Sequence, residues 1–402
     1  MIRKHNHFLF FAILSIVALM NCCNSQKNIK VVFEEKAGIS RNLEYVKVNI
    51  ADYTKKVLVL QEVLSGDVIY GIRLDQAITP NDSTSYIFPI SIKANERKVY
   101  TPTVLSDELE YSEELEITGS GMSIIIENKH FIADFNTDKE KTEMGLYPGQ
   151  LATLQLKNKN VLYKRLENDI HWAPNFQKEG LDYKTIGHLN LQNTKVSQNN
   201  PYMFEMSKSG TVSNYEEIDV FGQYNFFAGL PYFIYKSKMT FNRDTELFLL
   251  RNDEMTMDSL FTHLIYPEVS GEVAQMSLYN KSKFDSLAKA PLSDDIEWLG
   301  FVNKTKGYAF LSIRLEYNNK NLLGNDSPLY KAHTKISSGQ NNGRYWNRRL
   351  IHDHNTPIPK GSAYYEKNAY LVLDNLDEIE SQIAYYIKSL NNPILVFHPS
   401  SE

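Results

Sequence analysis

Long runs in which apolar and polar side chains alternate constrain the fold of this chain more than any other feature. The clearest examples are Tyr232–Phe241 and residues 308–317. Period-two alternation is typical of a strand with one buried face, and no helical spacing separates these runs. The chain also has 25 tyrosines and 20 phenylalanines, and aromatic side chains favour strands. We therefore predict an all-β protein built from antiparallel sheets.

The runs fall into two blocks. Short strand-like segments crowd residues 30–115 and predict a small N-terminal β-sandwich. Residues 116–402 hold the longer runs and predict a large antiparallel β-supersandwich domain. An acidic segment at 106–114 is the predicted linker between the blocks. Helical spacing occurs at 282–288 and over 375–390, and the second segment predicts one C-terminal helix.

Composition excludes several classes of protein. Of the 402 residues, 42% are hydrophobic and 23% charged, so a large core can be buried. The net charge of −5 argues against nucleic acid as the ligand, because binding phosphates requires a basic surface. The two cysteines, Cys22 and Cys23, are adjacent, which excludes a disulfide framework and a zinc site built from cysteines.

Residues 1–21 have the features of a secretory signal, because Arg3 and Lys4 precede an apolar stretch at 8–20. Residues 19–22, Leu-Met-Asn-Cys, resemble a bacterial lipobox, although asparagine replaces the usual glycine or alanine. The resemblance implies lipidation at Cys22, a tether at 22–29 and an outer membrane lipoprotein. The tether lacks acidic residues, which favours the periplasm over the cell surface. An ordinary signal peptide and an uncleaved anchor are the alternatives.

Two further segments resemble a known fold. Residues 124–131 join three isoleucines to Glu-Asn-Lys-His-Phe, and residues 228–232, Ala-Gly-Leu-Pro-Tyr, open a long strand. They resemble the opening and the centre of a mutarotase-like supersandwich covering residues 116–370. That resemblance implies a carbohydrate-active domain, similar to those in polysaccharide lyases. Together with the leader, it resembles secreted glycan-utilisation lipoproteins of Bacteroidota. No characterised family matches closely enough to transfer its catalytic residues.

Three polar stretches hold the candidate site residues, and the first is a loop that contains His171, Trp172 and Asn175. Loops on a rigid sandwich commonly carry binding groups. Trp172 is suited to stacking on a sugar ring, and Asn175 to bonding its hydroxyls. His171 is a candidate base. The alternative is structural: Trp172 fills the core and His171 satisfies a backbone carbonyl.

The second stretch, residues 251–254, follows an apolar strand and precedes His263. Arg251 and Asn252 are candidates for binding a carboxylate, and His263 is a candidate acid. Regular alternation predicts that Arg251 and Asp253 share one face of a strand, while Asn252 and Glu254 share the other. A structural network of ion pairs explains the same pattern.

The third stretch, residues 343–355, is the densest in polar and aromatic groups. An extended backbone places Trp346, Arg348, His352 and His354 on one face, together with Arg344. Tyr345, Asn347 and Arg349 lie on the other face, together with Ile351 and Asp353.

Guanidinium groups such as those of Arg348 and Arg349 match carboxylates, and nearby positive charge lowers the pKa of a tyrosine. Tyr345 and His352 are therefore candidate bases. His352 and His354 could alternatively bind a divalent metal. A solvent-exposed basic strand is the structural alternative.

These stretches favour an enzyme that degrades an acidic, uronate-containing glycan by β-elimination without a cofactor, as a polysaccharide lyase does. The reaction needs a group that neutralises the uronate carboxylate, a base and an acid. One alternative is a noncatalytic glycan-binding lipoprotein that uses the same Trp and Arg side chains. The other is a glycoside hydrolase with Asp253, Glu254 or Asp353 as its carboxylates. The expected partner is an acidic oligosaccharide or polysaccharide, not nucleic acid, with membrane contact only through the N-terminal lipid.

Overall fold

A computed structural model describes residues 29–51, 55–75, 83–103, 115–166, 169–190 and 193–398. Strands dominate, which confirms the all-β prediction. The predicted signal segment at 1–21, Cys22, most of the tether and the acidic linker at 106–114 lie outside the described residues. Within the described part of the chain, no helix has the length and apolarity needed to cross a membrane.

The first half of the chain contributes β1 (Val31–Glu34), β2 (Arg41–Ala51), β3 (Val57–Glu62), β4 (Val68–Arg73), β5 (Ser83–Ile92), β6 (Arg97–Thr103), β7 (Glu116–Ser120), β8 (Ser123–Glu127), β9 (Phe131–Asp134), β10 (Thr153–Leu156), β11 (Val161–Tyr163), β12 (Asn175–Gln177), β13 (Lys184–Thr185) and β14 (Thr194–Asn199). The second half contributes β15 (Met203–Val212), β16 (Tyr215–Phe227), β17 (Tyr232–Phe241), β18 (Thr245–Leu247), β19 (Leu249–Met257), β20 (His263–Pro267), β21 (Val273–Ser277), β22 (Trp298–Asn303), β23 (Tyr308–Asn318), β24 (His333–Ser338), β25 (Arg344–Ile351), β26 (Thr356–Ile358), β27 (Ala363–Leu373) and β28 (Leu395–Phe397). The helices are α1 (Lys139–Glu143), α2 (Lys281–Lys289) and α3 (Ile379–Asn391), with a 3₁₀ turn at Ile186–His188.

The first six strands and β28 form one seven-stranded antiparallel sheet, in the order β2-β5-β4-β3-β6-β1-β28. Its core follows the predicted alternation: Val46 and Val48 of β2 are buried, whereas Lys47 between them is exposed. β28 pairs with the edge of β1. The sheet formed by the first six strands is therefore completed by the last strand described, β28.

The remaining strands form the large sandwich. A nine-stranded sheet has the order β14-β15-β16-β17-β27-β23-β22-β20-β21. Against it pack two five-stranded sheets, which we call the β8 sheet (β11-β10-β9-β8-β7) and the β25 sheet (β13-β12-β19-β25-β24). Ile126, Phe310 and Trp346, one from each sheet, belong to a single core. On the other side of the nine-stranded sheet, α3 buries Ile383 beside Leu371.

Arg41 fastens the first sheet to the C-terminal end of α3. Its side chain is 1% exposed and donates to the carboxylates of Glu35 and Glu44. The same guanidinium donates to the backbone carbonyls of Ser389 and Asn392. Because the carbonyls at the end of a helix have no partner inside the helix, Arg41 also caps α3.

A buried carboxylate joins the β25 sheet to the nine-stranded sheet. Asp253 of β19 is fully buried and accepts hydrogen bonds from Ser312 Oγ and Arg314 Nε of β23, both at 3.0 Å. It also accepts from Tyr370 Oη of β27 at 3.0 Å and from Trp346 Nε1 of β25 at 3.1 Å. The donors come from both layers, so this carboxylate holds the layers in one relative position.

Asp253 reaches the interior because β19 contains a β-bulge. The φ angle of Asp253 is +44°, and the register with β25 shifts between Asn252 and Met255. The extra residue places Asn252 and Asp253 together on the inner face, and leaves Arg251 and Glu254 on the outer face. The regular alternation expected over residues 251–254 is therefore wrong at this point.

We expect Asp253→Asn to lower the free energy of unfolding by about 3–5 kcal/mol, because the change leaves the buried Arg314 guanidinium without its carboxylate. Chemical denaturation followed by circular dichroism measures this. Asp353→Asn is the matched control, because Asp353 also has a positive φ but its side chain is 52% exposed. The control change should cost less than about 1 kcal/mol. Equal losses in the two variants would contradict the role assigned to Asp253.

Candidate functional site

The face of the β25 sheet that points away from the nine-stranded sheet carries a row of polar side chains. Asn175 of β12 pairs with Arg251 of β19, Arg251 pairs with Arg349 of β25, and Arg349 pairs with His333 of β24. Residues that pair laterally point to the same side of a sheet. These four residues therefore form one row across four strands.

The next pair on the same face is Lys335 of β24 and Asn347 of β25, and Tyr345 lies one step further along β25. His352 follows the end of β25 and contacts Arg349. We call the surface formed by Arg251, Lys335, Arg349, Tyr345 and His352 the cationic face.

The surroundings of Arg349 and Lys335 disfavour their positive charges. Burial, followed by the charge of Arg251, lowers the pKa of Arg349 to about 10. Burial, followed by Arg349 and Arg251, also lowers the pKa of Lys335. A lowered pKa in a basic side chain means that its surroundings destabilise the charged form. A bound anionic ligand would stabilise the charged forms of these side chains.

Two carboxylates neutralise part of that charge. Glu254 Oε2 lies 3.7 Å from Arg251 Nη1 and accepts a hydrogen bond from Asn175 Nδ2 at 3.2 Å. Burial nevertheless raises the pKa of Glu254. Asp353 Oδ2 lies 3.9 Å from Arg349 Nη1, on a side chain that is half exposed. The three basic groups of the cationic face are thus partly balanced by two carboxylates. One of these, Asp353, is loosely paired and open to solvent.

His352 positions Arg349. Its Nδ1 lies 2.6 Å from Arg349 Nη1, and because a guanidinium can only donate, Nδ1 must accept. Burial and the charge of Arg349 lower the pKa of His352 to about 4, so the ring is neutral near pH 7 and its hydrogen sits on Nε2. The carboxylate of Asp353, 3.2 Å from the same Nδ1, therefore finds no proton there. In this geometry the ring has no lone pair left for base catalysis.

Aromatic rings border the cationic face. The guanidinium carbon of Arg251 lies 5.8 Å from the ring centre of Tyr183, which is 6.4 Å from the ring centre of Trp172. Burial raises the pKa of Tyr183 well above its ordinary value, so its phenol stays protonated. Trp172 is only 9% exposed, and its Nε1 donates to the carbonyl of Asp169 at 2.7 Å. Tyr183 therefore lies between Arg251 and the largely buried Trp172.

Three predicted site residues point inward instead. Arg348 pairs with Glu366 Oε1 at 2.6 Å and with Asp294 Oδ2 at 2.9 Å. Asn252 Oδ1 accepts a hydrogen bond from a serine of β17 at 3.1 Å, and Trp346 is fully buried. The structure thus places these side chains inside the sandwich, on the opposite face of the β25 sheet from Arg349.

The predicted histidines are dispersed. His171 is fully buried, with its ring centre 4.4 Å from that of Tyr235, between the sheets. His263 lies on β20 in the nine-stranded sheet, and its Nδ1 is 2.9 Å from Thr262 Oγ1. The cationic face therefore includes neither of them.

The ring of His354 stacks on Tyr330 at 3.9 Å, whereas the ring of His352 lies against Arg349. The two histidines proposed as metal ligands thus have different neighbours. Across the ranges that the structure describes, no three histidine, cysteine or acidic side chains lie together as metal ligands do.

Lys335, His333 and Tyr183 were not among the predicted site residues. A signal was available in β24, where His333 and Lys335 alternate with buried residues. The glycines of the short turn at 339–343 indicate a hairpin that joins β24 to β25. That hairpin would have placed Lys335 beside the predicted arginines.

No family model matches this chain, and no curated protein sequence matches it. Among solved structures, an alpha-mannosidase from Enterococcus faecalis V583 is similar to this chain. The match extends over 98% of this chain and 48% of the mannosidase chain, with a TM-score of 0.54 and 8% identity. A protein in the glycosyl hydrolase family 38 from Enterococcus faecalis matches over 98% of this chain and 50% of its own length, with a TM-score of 0.52 and 8% identity.

A galactose mutarotase-like protein from Lactobacillus casei ATCC 334 covers 62% of this chain and 99% of its own. Its TM-score of 0.36 and 10% identity are too low to establish a shared fold. This chain spans about half the length of the two Enterococcus proteins. At 8% identity, their similarity to this chain establishes the fold alone.

Proposed function

We propose that the cationic face binds an acidic, uronate-containing glycan and that the protein cleaves it by β-elimination. The observation that carries the proposal is the row formed by Arg251 and Arg349, with Lys335 beside it. Guanidinium groups form paired, charge-assisted hydrogen bonds with carboxylates. Two solved structures with this fold are named as an alpha-mannosidase and a protein in the glycosyl hydrolase family 38, which supports a carbohydrate as the ligand.

The first chemical requirement is to neutralise the uronate carboxylate, because this makes the proton on the neighbouring carbon easier to remove. Arg251 and Arg349 are assigned to that role. His352 supports it indirectly, since it holds one nitrogen of Arg349 through Nδ1. The raised pKa of the buried Glu254 reduces the competition of that carboxylate with the ligand for Arg251.

The second requirement is a base and an acid. Tyr345 lies on the cationic face and interacts electrostatically with both Arg251 and Arg349. We assign to its phenolate form the removal of the proton beside the carboxylate, which leaves Tyr345 as the neutral phenol. The electrons of that C–H bond form a carbon–carbon double bond as the glycosidic C–O bond breaks. The departing oxygen takes a proton from Tyr183, whose phenol burial keeps protonated.

Hydrolysis is a second candidate, and one observation favours it. Glu254 is buried and has a raised pKa, as the general acid of a glycosidase does. Asp353 is the other carboxylate near Arg349 and is half exposed to solvent. Hydrolysis would release new reducing ends without forming a double bond, so its product separates it from elimination.

The experiment incubates the full chain with oligogalacturonate and alginate oligosaccharides, with neutral galactan oligosaccharides as controls. Ultraviolet absorbance detects the unsaturated uronate, a reducing-end assay detects any cleavage, and calorimetry detects binding. Rising absorbance with acidic substrates supports elimination. Reducing ends without absorbance indicate hydrolysis, and binding without either indicates a noncatalytic glycan-binding protein. If acidic oligosaccharides neither bind nor react, the proposal is wrong.

Two adjacent arginines provide a matched pair of variants. Arg349→Ala should weaken the binding of acidic oligosaccharides about tenfold to a hundredfold, because a charge-assisted contact is lost. Because Arg349 is buried and donates to Asn347 Oδ1, this change should also lower the free energy of unfolding, by about 1–3 kcal/mol. Arg348→Ala should instead destabilise the fold by about 3–5 kcal/mol, because Glu366 remains buried without a partner. Calorimetric titration and thermal melting on both variants measure the two effects. Normal binding by Arg349→Ala, together with early melting, would exclude the cationic face as the site.

The leader supports a proposal on location: the mature protein is lipidated at Cys22 and anchored in the outer membrane, facing the periplasm. Cys22→Ser should abolish incorporation of a labelled fatty acid and shift the protein out of the membrane fraction. Cys23→Ser is the matched control and should keep the label. Retention of the label by Cys22→Ser would contradict the lipobox assignment.

A further inference from the structure

A second recess lies where the first sheet meets the sandwich, apart from the cationic face. It has a volume of about 290 Å³ and is lined by residues of β2, the β8–β9 turn, the β16–β17 turn and α3. Small-molecule pockets in proteins have volumes upward of about 300 Å³ and often occur between domains. The size suits one or two sugar rings.

Tyrosine rings form one side of this recess. Tyr385 and Tyr386 of α3 are half-buried, with ring centres 5.1 Å apart and planes at 81°. The ring of Tyr386 meets that of Tyr232 at 6.1 Å and 76°. Tyrosine offers an apolar ring for the C–H face of a sugar and a hydroxyl for its polar edge. The perpendicular rings form a corner instead of a flat surface.

The first sheet supplies the opposite side, through Asn42 and Glu44. Burial raises the pKa of Glu44, and burial followed by the charge of Glu44 raises the pKa of Tyr232, so the two side chains lie together in the recess. The carboxylate of Glu44 is engaged by the Arg41 guanidinium and by the N–H of Ile394. Because its charge is already paired, this wall offers hydrogen-bonding groups without a free carboxylate, and Lys129 of the β8–β9 turn adds a hydrogen-bond donor on another side of the recess.

We propose that this recess binds a neutral saccharide and is a second carbohydrate site. Crossed tyrosine rings, a neutralised carboxylate and an exposed amide match the alternating apolar and hydroxyl surfaces of an uncharged sugar. The inference is independent of the acidic glycan proposed for the cationic face. It also gives the first sheet a function, because Asn42 and Glu44 form one wall of the site.

The test titrates the full chain with maltotriose, cellotriose, mannotriose and a galactan trisaccharide, by ligand-observed NMR and calorimetry. At least one of them should bind. Tyr385→Ala should weaken that binding about tenfold or more, because it removes an aromatic ring while alanine preserves the helix. Tyr385→Phe keeps the ring and should retain most of the affinity. Ser381→Ala, on an exposed position of the same helix, is the control for changes in α3.

A variant on the other wall keeps the test independent of the stability of α3. Asn42 is exposed on β2, and Asn42→Trp should obstruct the recess and abolish binding without unfolding the protein. Arg349→Ala should bind the neutral trisaccharide normally. The proposal fails if none of the four trisaccharides binds, or if Tyr385→Ala and Asn42→Trp both bind as the unmodified protein does. Loss of binding in Arg349→Ala would assign the neutral sugar to the cationic face instead.

Discussion

The carboxylate of Asp253 is the interaction on which the arrangement of the sandwich depends. Without it, Arg314, Trp346 and Tyr370 would each keep a buried donor with no acceptor, and an unpaired buried group costs about 1–3 kcal/mol. Apolar contacts between two sheets tolerate sliding, whereas four converging hydrogen bonds do not. The network therefore fixes the position of β19 against β23 and β27.

Asp253 also determines which side chains lie on the outer face of the β25 sheet. Turning Asp253 inward requires an extra residue in β19, and the bulge that accommodates it leaves Arg251 and Glu254 on the outer side. A straight β19 would have put Asp253 beside Arg251, where it would neutralise the charge we assign to ligand binding. The bulge thus separates a structural carboxylate from a cationic surface two residues away.

The sequence was sufficient for the fold class, because period-two patterns over long strands and helical spacing near the C-terminus are local signals. It also located the polar stretches that contain Arg251 and Arg349. It could not separate Arg348 from Arg349 by role, since that depends on which face of β25 meets Glu366 of a strand formed later in the chain. A β-bulge cannot be recognised from the alternation of polar and apolar residues in the sequence. For that reason Asp253 and Glu254 were assigned to the wrong faces of β19.

The pairing of β28 with β1 has a consequence for how the chain reaches its native state. Residues 35–394 separate β1 from β28, so the edge of β1 stays open until all of those residues have been synthesised. An open edge can pair with a strand of another chain. During synthesis, the first sheet would therefore be the part most exposed to misassociation. Once α3 and β28 have formed, β28 would cover that edge and Arg41 would hold the first sheet against the end of α3.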